Sequence, residues 1–190
     1  MAMAEPGPTT PDVVDLLKTQ HEQVKALFTT VKNLKGEAAQ EPFDELRRML
    51  AVHETAEEEV VYPMLREHGA DDIVEARLAE ESHAKEILSE LEKMGPTAPT
   101  FASKLAGFET AVVAHAEAEE REVFPQLMKS VEPDQRRRMG QAVLAAEAIA
   151  PTHPHPKGPQ SAVGNFVVGP FVSIVDRVRD AIHEHTRKAS

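Results

Sequence analysis

The stretch HAEAEEREVFP, residues 115–125, sets a histidine, a glutamate four positions on at Glu119, and a proline that should stop a helix. HETAEEEVVYP, residues 53–63, repeats that skeleton with His53, Glu57 and Pro63. Side chains four apart in a helix stack on one face a turn apart, so each glutamate points with its histidine. His115, Glu119 and Pro125 each lie 62 residues beyond their counterparts, and the same offset applied to His83 returns His21. The breaks between helices follow suit, Gly36 to Pro42 answering Gly95 to Pro99. The sequence reads as two copies of a helical hairpin, each with one histidine on its first helix and a histidine and glutamate on its second.

Apolar periodicity around these motifs fits 3.6 residues rather than 2, and hairpin-turn signals for strands are missing, so the fold class is all-α. The first helix is expected from Thr10-Pro11, through Val13, Leu17, Val24, Phe28 and Val31, to Gly36; the second starts after Pro42, the third at Asp71-Asp72 and the fourth near Thr100. Short connections make successive helices antiparallel, which gives an up-down-up-down four-helix bundle with additional C-terminal helices. The expected organisation is a disordered N-terminus over 1–10, the bundle over 11–130, a short helix over 131–149, a Pro-rich linker over 150–169, and a helix over 170–187 that packs on the bundle.

Measured from their connecting loops at about 1.5 Å per residue, His21, His53, His83 and His115 each lie roughly 16–23 Å along their helices. Antiparallel packing brings the four to one height. Each sits on an apolar, core-facing stripe in this reading, and four imidazoles with two carboxylates in a core are very costly without partners. A pair of metal ions resolves the cost: His and Glu projecting into a bundle suit a binuclear first-row site, di-iron or di-manganese. The metal ligands expected are His21, His53, Glu57, His83, His115 and Glu119, with coordination positions left over for solvent, a bridge or an exogenous ligand. Merely satisfied core histidines in a duplicated bundle would explain the repeat, but not why all six polar positions recur. Glu54, next to His53, and Glu86, three after His83, are the further candidate ligands. Glu58, Glu59, Glu117, Glu120 and Glu122 read as solvated face, Tyr62 as core because Phe124 is its counterpart, His68 as a helix-end surface residue, and His153 and His155 as linker.

Composition narrows the partners. The net charge of −11 argues against nucleic acid, whose phosphates are held by Lys and Arg. With no cysteine among 190 residues, disulfides, thiolate metal sites and thiol catalysis are excluded. The first residues lack the basic and apolar regions of an export signal, and the most apolar run, 162–175, is too short and broken to span a bilayer. The expected setting is the cytoplasm, without a membrane partner, as a monomer or weak dimer.

On His21, HETAEEEVVYP, ESHAKEIL and HAEAEEREVFP, the chain resembles the hemerythrin-like HHE cation-binding family across roughly residues 11–130. The resemblance implies a non-haem binuclear iron centre, oxo- or hydroxo-bridged, with Glu57 and Glu119 as carboxylate ligands or bridges and the four histidines as terminal ligands. Oxygen-carrying members have a further histidine one turn after the third-helix ligand, where this chain has Ile87. A more open, carboxylate-richer pair suits reaction with hydrogen peroxide, O2 or NO in oxidative or nitrosative stress, a catalase-like cycle included, better than reversible oxygen transport. The alternative is a sensor or carrier that binds O2, NO or iron without turnover.

Overall fold

The computed structural model describes residues 10–147. The expectations for 1–9, for the linker over 150–169 and for the helix over 170–187, and with them His153, His155, His183 and His185, lie outside the described residues. Four long helical arms form an up-down-up-down bundle. The first is α1 (Val13–Asn33). The second runs from α2 (Gln40–Ala56) through a π-helical turn (Glu57–Val61) into α3 (Tyr62–Glu67). The third is α4 (Asp71–Met94). The fourth repeats the second, from α5 (Phe101–Ala118) through a π turn (Glu119–Val123) into α6 (Phe124–Ser130). α7 (Pro133–Glu147) follows.

Local chemistry sets these limits. Asp12, not Thr10, caps α1: its Oδ1 accepts from the Val14 N–H at 3.0 Å, satisfying one of the free donors of the first turn. α2 begins ahead of Pro42, which sits in the first turn, where its missing N–H costs nothing. The arms turn at Gly36, Gly69 and Gly95, all with φ between 58° and 75°, the left-handed region that glycine enters without strain.

The π turns come from the two prolines. Pro63 and Pro125 have no N–H to return to the carbonyl four residues back, and each helix widens, so that Tyr62 N–H bonds Glu57 O and Phe124 N–H bonds Glu119 O, five residues back. Each wide turn starts at the glutamate of its HxxxE motif, and such turns are frequent at functional sites.

Packing divides the interior into two apolar halves. One end holds Phe28, Phe43, Leu46, Leu91, Phe101 and Phe108. The other holds Leu17, Val61, Leu65, Val74, Phe124, Leu127 and, from α7, Met139 and Val143. Between them lies a layer of buried polar side chains: Gln20, His21, His53, Glu57, Glu81 and Glu119. α7 closes the second end against the start of α1, with Arg136 Nε on Asp12 Oδ2 at 2.7 Å and Gln141 Nε2 donating to Thr10 Oγ1 at 3.0 Å.

Gly140 is where α7 comes closest to α1. A methyl there would run into the Pro11 carbonyl oxygen, with the Pro11 carbonyl carbon and the Val13 nitrogen each at 3.3 Å. Overpacking of this kind costs about 1–3 kcal/mol, so Gly140→Ala lowers Tm, by roughly 2–4 °C for each kcal/mol. Gly107 is exposed inside α5 with nothing within 4 Å of the added methyl, so Gly107→Ala raises stability by about 0.5–1 kcal/mol. Thermal unfolding followed by circular dichroism measures both.

Candidate metal centre

Each arm brings side chains to the polar layer at the height where its apolar stripe is interrupted. α1 supplies His21, between Leu17 of one half and Val24 of the other. α2 and α5 supply His53 and His115 at their ends, and the π turns add Glu57 and Glu119, both 0 % exposed. α4 supplies Glu81: its buried seam is Val74, Arg77, Glu81, Ala84 and Leu91, the three-and-four spacing of one helix face.

Two ligand groups result, and they share two members. His21, His53, Glu57 and Glu119 present one atom each within 4.8 Å of one another, and so do Glu57, Glu81, His115 and Glu119. Glu119 is the hub. Its Oε2 lies 3.3 Å from His21 Nε2 and 4.0 Å from His53 Nε2, and its Oε1 lies 3.2 Å from His115 Nε2. Glu57 Oε2 is 3.4 Å from His53 Nε2, and the Nε2 atoms of His21 and His53 are 3.2 Å apart. Tyr62 reaches in from α3, its hydroxyl 2.5 Å from Glu81 Oε1 and 3.0 Å from Glu119 Oε1.

The outward ring nitrogens explain which way the imidazoles face. His21 Nδ1 donates to Glu120 Oε1 at 2.9 Å, His53 Nδ1 to Gln20 Oε1 at 2.8 Å, and His115 Nδ1 to Glu80 Oε2 at 3.0 Å. An N–H held outward leaves the Nε2 lone pair pointing inward, the arrangement of metal-binding histidines, whose other nitrogen is held by a carboxylate or carbonyl oxygen. Meanwhile Glu57 Oε1 and Oε2, Glu81 Oε2, Glu119 Oε2 and His115 Nε2 are buried without a hydrogen-bond partner. Each such group costs on the order of 1–3 kcal/mol if left so, and all five belong to the two ligand groups. The donor set therefore fits a pair of cations, one in each group, with Glu57 and Glu119 members of both.

Electrostatics point the same way. Burial holds His53 down at about 3 despite the pull of Glu119, so it is a neutral donor at pH 7. Burial works against charge on His115, but the carboxylates of Glu119 and Glu80 beside it prevail and raise it to about 9. Burial alone would raise Glu119, yet the imidazoles of His115 and His21 beside it keep it well below the ordinary carboxylate range. Glu57 moves the other way, pushed well up by burial and then by the charge of Glu119, and burial raises Glu81 to about 8. A layer with this many acids cannot hold them all ionised by itself, and bound cations would supply the missing positive charge.

Five of the six expected residues meet here: His21, His53, Glu57, His115 and Glu119. His83 does not. Its side chain is 69 % exposed, with Glu86 Oε2 3.9 Å away, because two residues past Glu81 is about 200° round the helix. Glu86 is itself 79 % exposed. Glu54 lines the edge of the cavity above the layer, but it faces Lys85 Nζ at 3.4 Å and stands outside both ligand groups. From the third arm it is Glu81 that reaches the layer, Tyr62 is polar contact as well as core, and Glu120, expected as solvated face, braces His21. The signal for Glu81 was the seam spacing on α4, which an apolar count passes over because Arg77 and Glu81 are charged. Ile87 packs against the apolar half that contains Phe28.

Above the layer, Val24, Leu50, Ala84 and Val112, one from each arm, wall a cavity of about 20 Å³ that also touches His21, His53, Glu81 and His115. That is room for about one water molecule.

Binding of cations by bundles of this kind has a family behind it. The hemerythrin HHE cation binding domain matches residues 12–127, and the chain belongs to that family. It is 26 % identical over 138 residues to an uncharacterized hemerythrin-like protein of Schizosaccharomyces pombe, covering 71 % of this chain and 68 % of that one. It is 25 % identical over 138 residues to a DNA nickase of Nostoc, covering 72 % of this chain but only 39 % of the nickase. The crystal structure of a hemerythrin HHE cation binding domain-containing protein from Mycobacterium kansasii superposes with a TM-score of 0.63 at 25 % identity, over 69 % of this chain and 82 % of the other. Among the described residues no helix is long and apolar enough to cross a membrane.

Glu81 and His83 give the sharpest contrast between spacing and geometry. In anaerobic loading with Fe2+ followed by elemental analysis, Glu81→Ala is expected to lose at least tenfold in affinity for one of two ions. His83→Ala is expected to load like the unsubstituted chain. A loss in His83→Ala with none in Glu81→Ala would reverse the assignment.

Proposed function

We propose that this chain is a cytoplasmic, non-haem di-iron protein that consumes hydrogen peroxide in a catalase-like reaction, with O2 and NO as further small ligands of the same centre. The observation that carries the reading is the pair of ligand groups joined through Glu57 and Glu119, with inward Nε2 atoms and orphaned carboxylate oxygens at a cavity sized for a very small molecule. Iron in both groups would supply the two-electron redox capacity that disproportionation of peroxide needs.

The chain's own residues supply binding, shape and proton handling. His21 and His53 would hold one ion and His115 and Glu81 the other, with Glu57 and Glu119 available to both. Six protein side chains would not saturate two six-coordinate ions, which would leave room for a small molecule from the adjoining cavity. The methyl-rich walls from Val24, Leu50, Ala84 and Val112 favour a small uncharged molecule over a bulky or ionic one, since a charge entering there would lose its hydration. Tyr62, whose hydroxyl lies against Glu81 and Glu119, is placed to keep a proton at the inner end of the site; burial raises it far above the usual tyrosine range. The mixed donor set, three imidazoles with three carboxylates, is richer in carboxylate than the expected set of four imidazoles with two. The activity of the Nostoc nickase is not carried over, because the match takes in the smaller part of that protein and this chain carries a net charge of −11.

Oxygen evolution from hydrogen peroxide by iron-loaded protein tests the proposal. Turnover is expected, falling at least tenfold in His53→Ala and in Glu119→Ala when each is assayed at equal protein concentration. Stable optical changes with peroxide, O2 or NO and no oxygen release would instead support the sensor or carrier reading.

A further inference from the structure

Arg77 is a buried cation that the proposed reaction does not use. It occupies the core seam of α4 one turn before Glu81, its side chain only 7 % exposed, and its Nε and Nη1 have no hydrogen-bond partner among the described residues. Among the described residues its hydrogen bond runs from Nη2 to Glu80 Oε1 at 2.8 Å; Glu122 Oε2 stands off Nη1 at 3.9 Å. Glu80 turns its other oxygen, Oε2, to His115 Nδ1 at 3.0 Å, and His115 directs Nε2 to the ligand group that contains Glu81.

We infer that Arg77, Glu80 and His115 form a relay that positions His115 and thereby sets the affinity of the ion held by His115 and Glu81. The inference rests on the two-ion reading. Glu80 is 42 % exposed, and a solvent-facing carboxylate on a flexible stem samples many rotamers when nothing fixes it. A guanidinium anchored in the core grips one oxygen and leaves the second aimed at the imidazole. The planar fork of arginine suits this better than a lysine point charge. The other histidines are braced differently: His53 by the amide of Gln20, and His21 by Glu120, near which the charge of Lys25 stands. The relay therefore makes the two halves of the centre unequal, with its effect confined to the His115 half.

The test is anaerobic titration of the full chain with Fe2+, with ion content from elemental analysis and folding checked by thermal unfolding. The unsubstituted chain is expected to take two ions. Glu80→Gln and Arg77→Met are each expected to weaken one of the two by roughly 10–100-fold, the range for loss of an outer partner of a metal ligand. The double variant is expected to be no weaker than Glu80→Gln, because Arg77 acts through Glu80. Glu122→Gln should bind both ions unchanged. Additive losses in the double variant, or wild-type affinity in Glu80→Gln, overturn the relay. Glu80 is partly exposed, so that variant remains decisive even where Arg77→Met fails to fold. Fewer than two ions on the unsubstituted chain would overturn the two-ion reading itself.

Discussion

Charge neutrality in one buried layer is the constraint on which the rest of this molecule depends. Three carboxylates and three imidazoles occupy the middle of the bundle, with apolar packing on both sides. Such a layer is unfavourable on its own: Glu57 is fully buried with both oxygens unpartnered, and its neighbour Glu119 repels it. Hydrophobic residues of similar volume would pack better at lower cost. The layer is intelligible as a binding site whose ligands are positively charged, and the outward bracing of the imidazoles by Glu120, Gln20 and Glu80 gives each lone pair its inward direction.

The backbone is adapted to the same end twice over. Pro63 and Pro125 each force a wide π turn directly behind the shared glutamates, and the two turns are related by the 62-residue repeat. The duplication thus accounts for the symmetrical part of the centre, namely the bridging carboxylates and the histidines one turn before them. The asymmetrical part comes from the odd-numbered arms, where α1 offers His21 and α4 offers Glu81. Tyr62 against Phe124 is a second departure from symmetry. It places a hydroxyl beside the Glu81 half and a stacked ring, 5.6 Å between centroids, beside His21.

The bundle and most of its centre were legible in the sequence because their signals are local. A histidine and glutamate four apart share a face whatever surrounds them, and a proline directly after the aromatic residue, as in Tyr62-Pro63 and Phe124-Pro125, marks where each helix is interrupted. His21 followed from the repeat. His83 misled because an offset taken from the second helix of each hairpin was carried onto the first, where the buried face is set by helix phase and not by the repeat. Counted back from the turn glycines, His21 stands 15 residues before Gly36, Glu81 stands 14 before Gly95, and His83 only 12. Helix phase then decides. Arg77 and Glu81 look like surface residues to any count of apolar positions, and only packing shows that they form the buried seam. The bracing roles of Gln20, Glu80 and Glu120 were hidden for a related reason: they are contacts between different helices.

In the proposed centre two metal ions would lie beside Glu57 and Glu119, one on the His21 and His53 side and one on the His115 and Glu81 side. Anomalous diffraction from crystals of the iron-loaded protein, collected at the iron edge, measures this directly. Two peaks about 3.5–4 Å apart are expected, the spacing of paired metal ions, both in contact with Glu57 and Glu119 and neither in contact with His83. A single peak, or a peak at His83 and Glu86, would contradict the proposed centre.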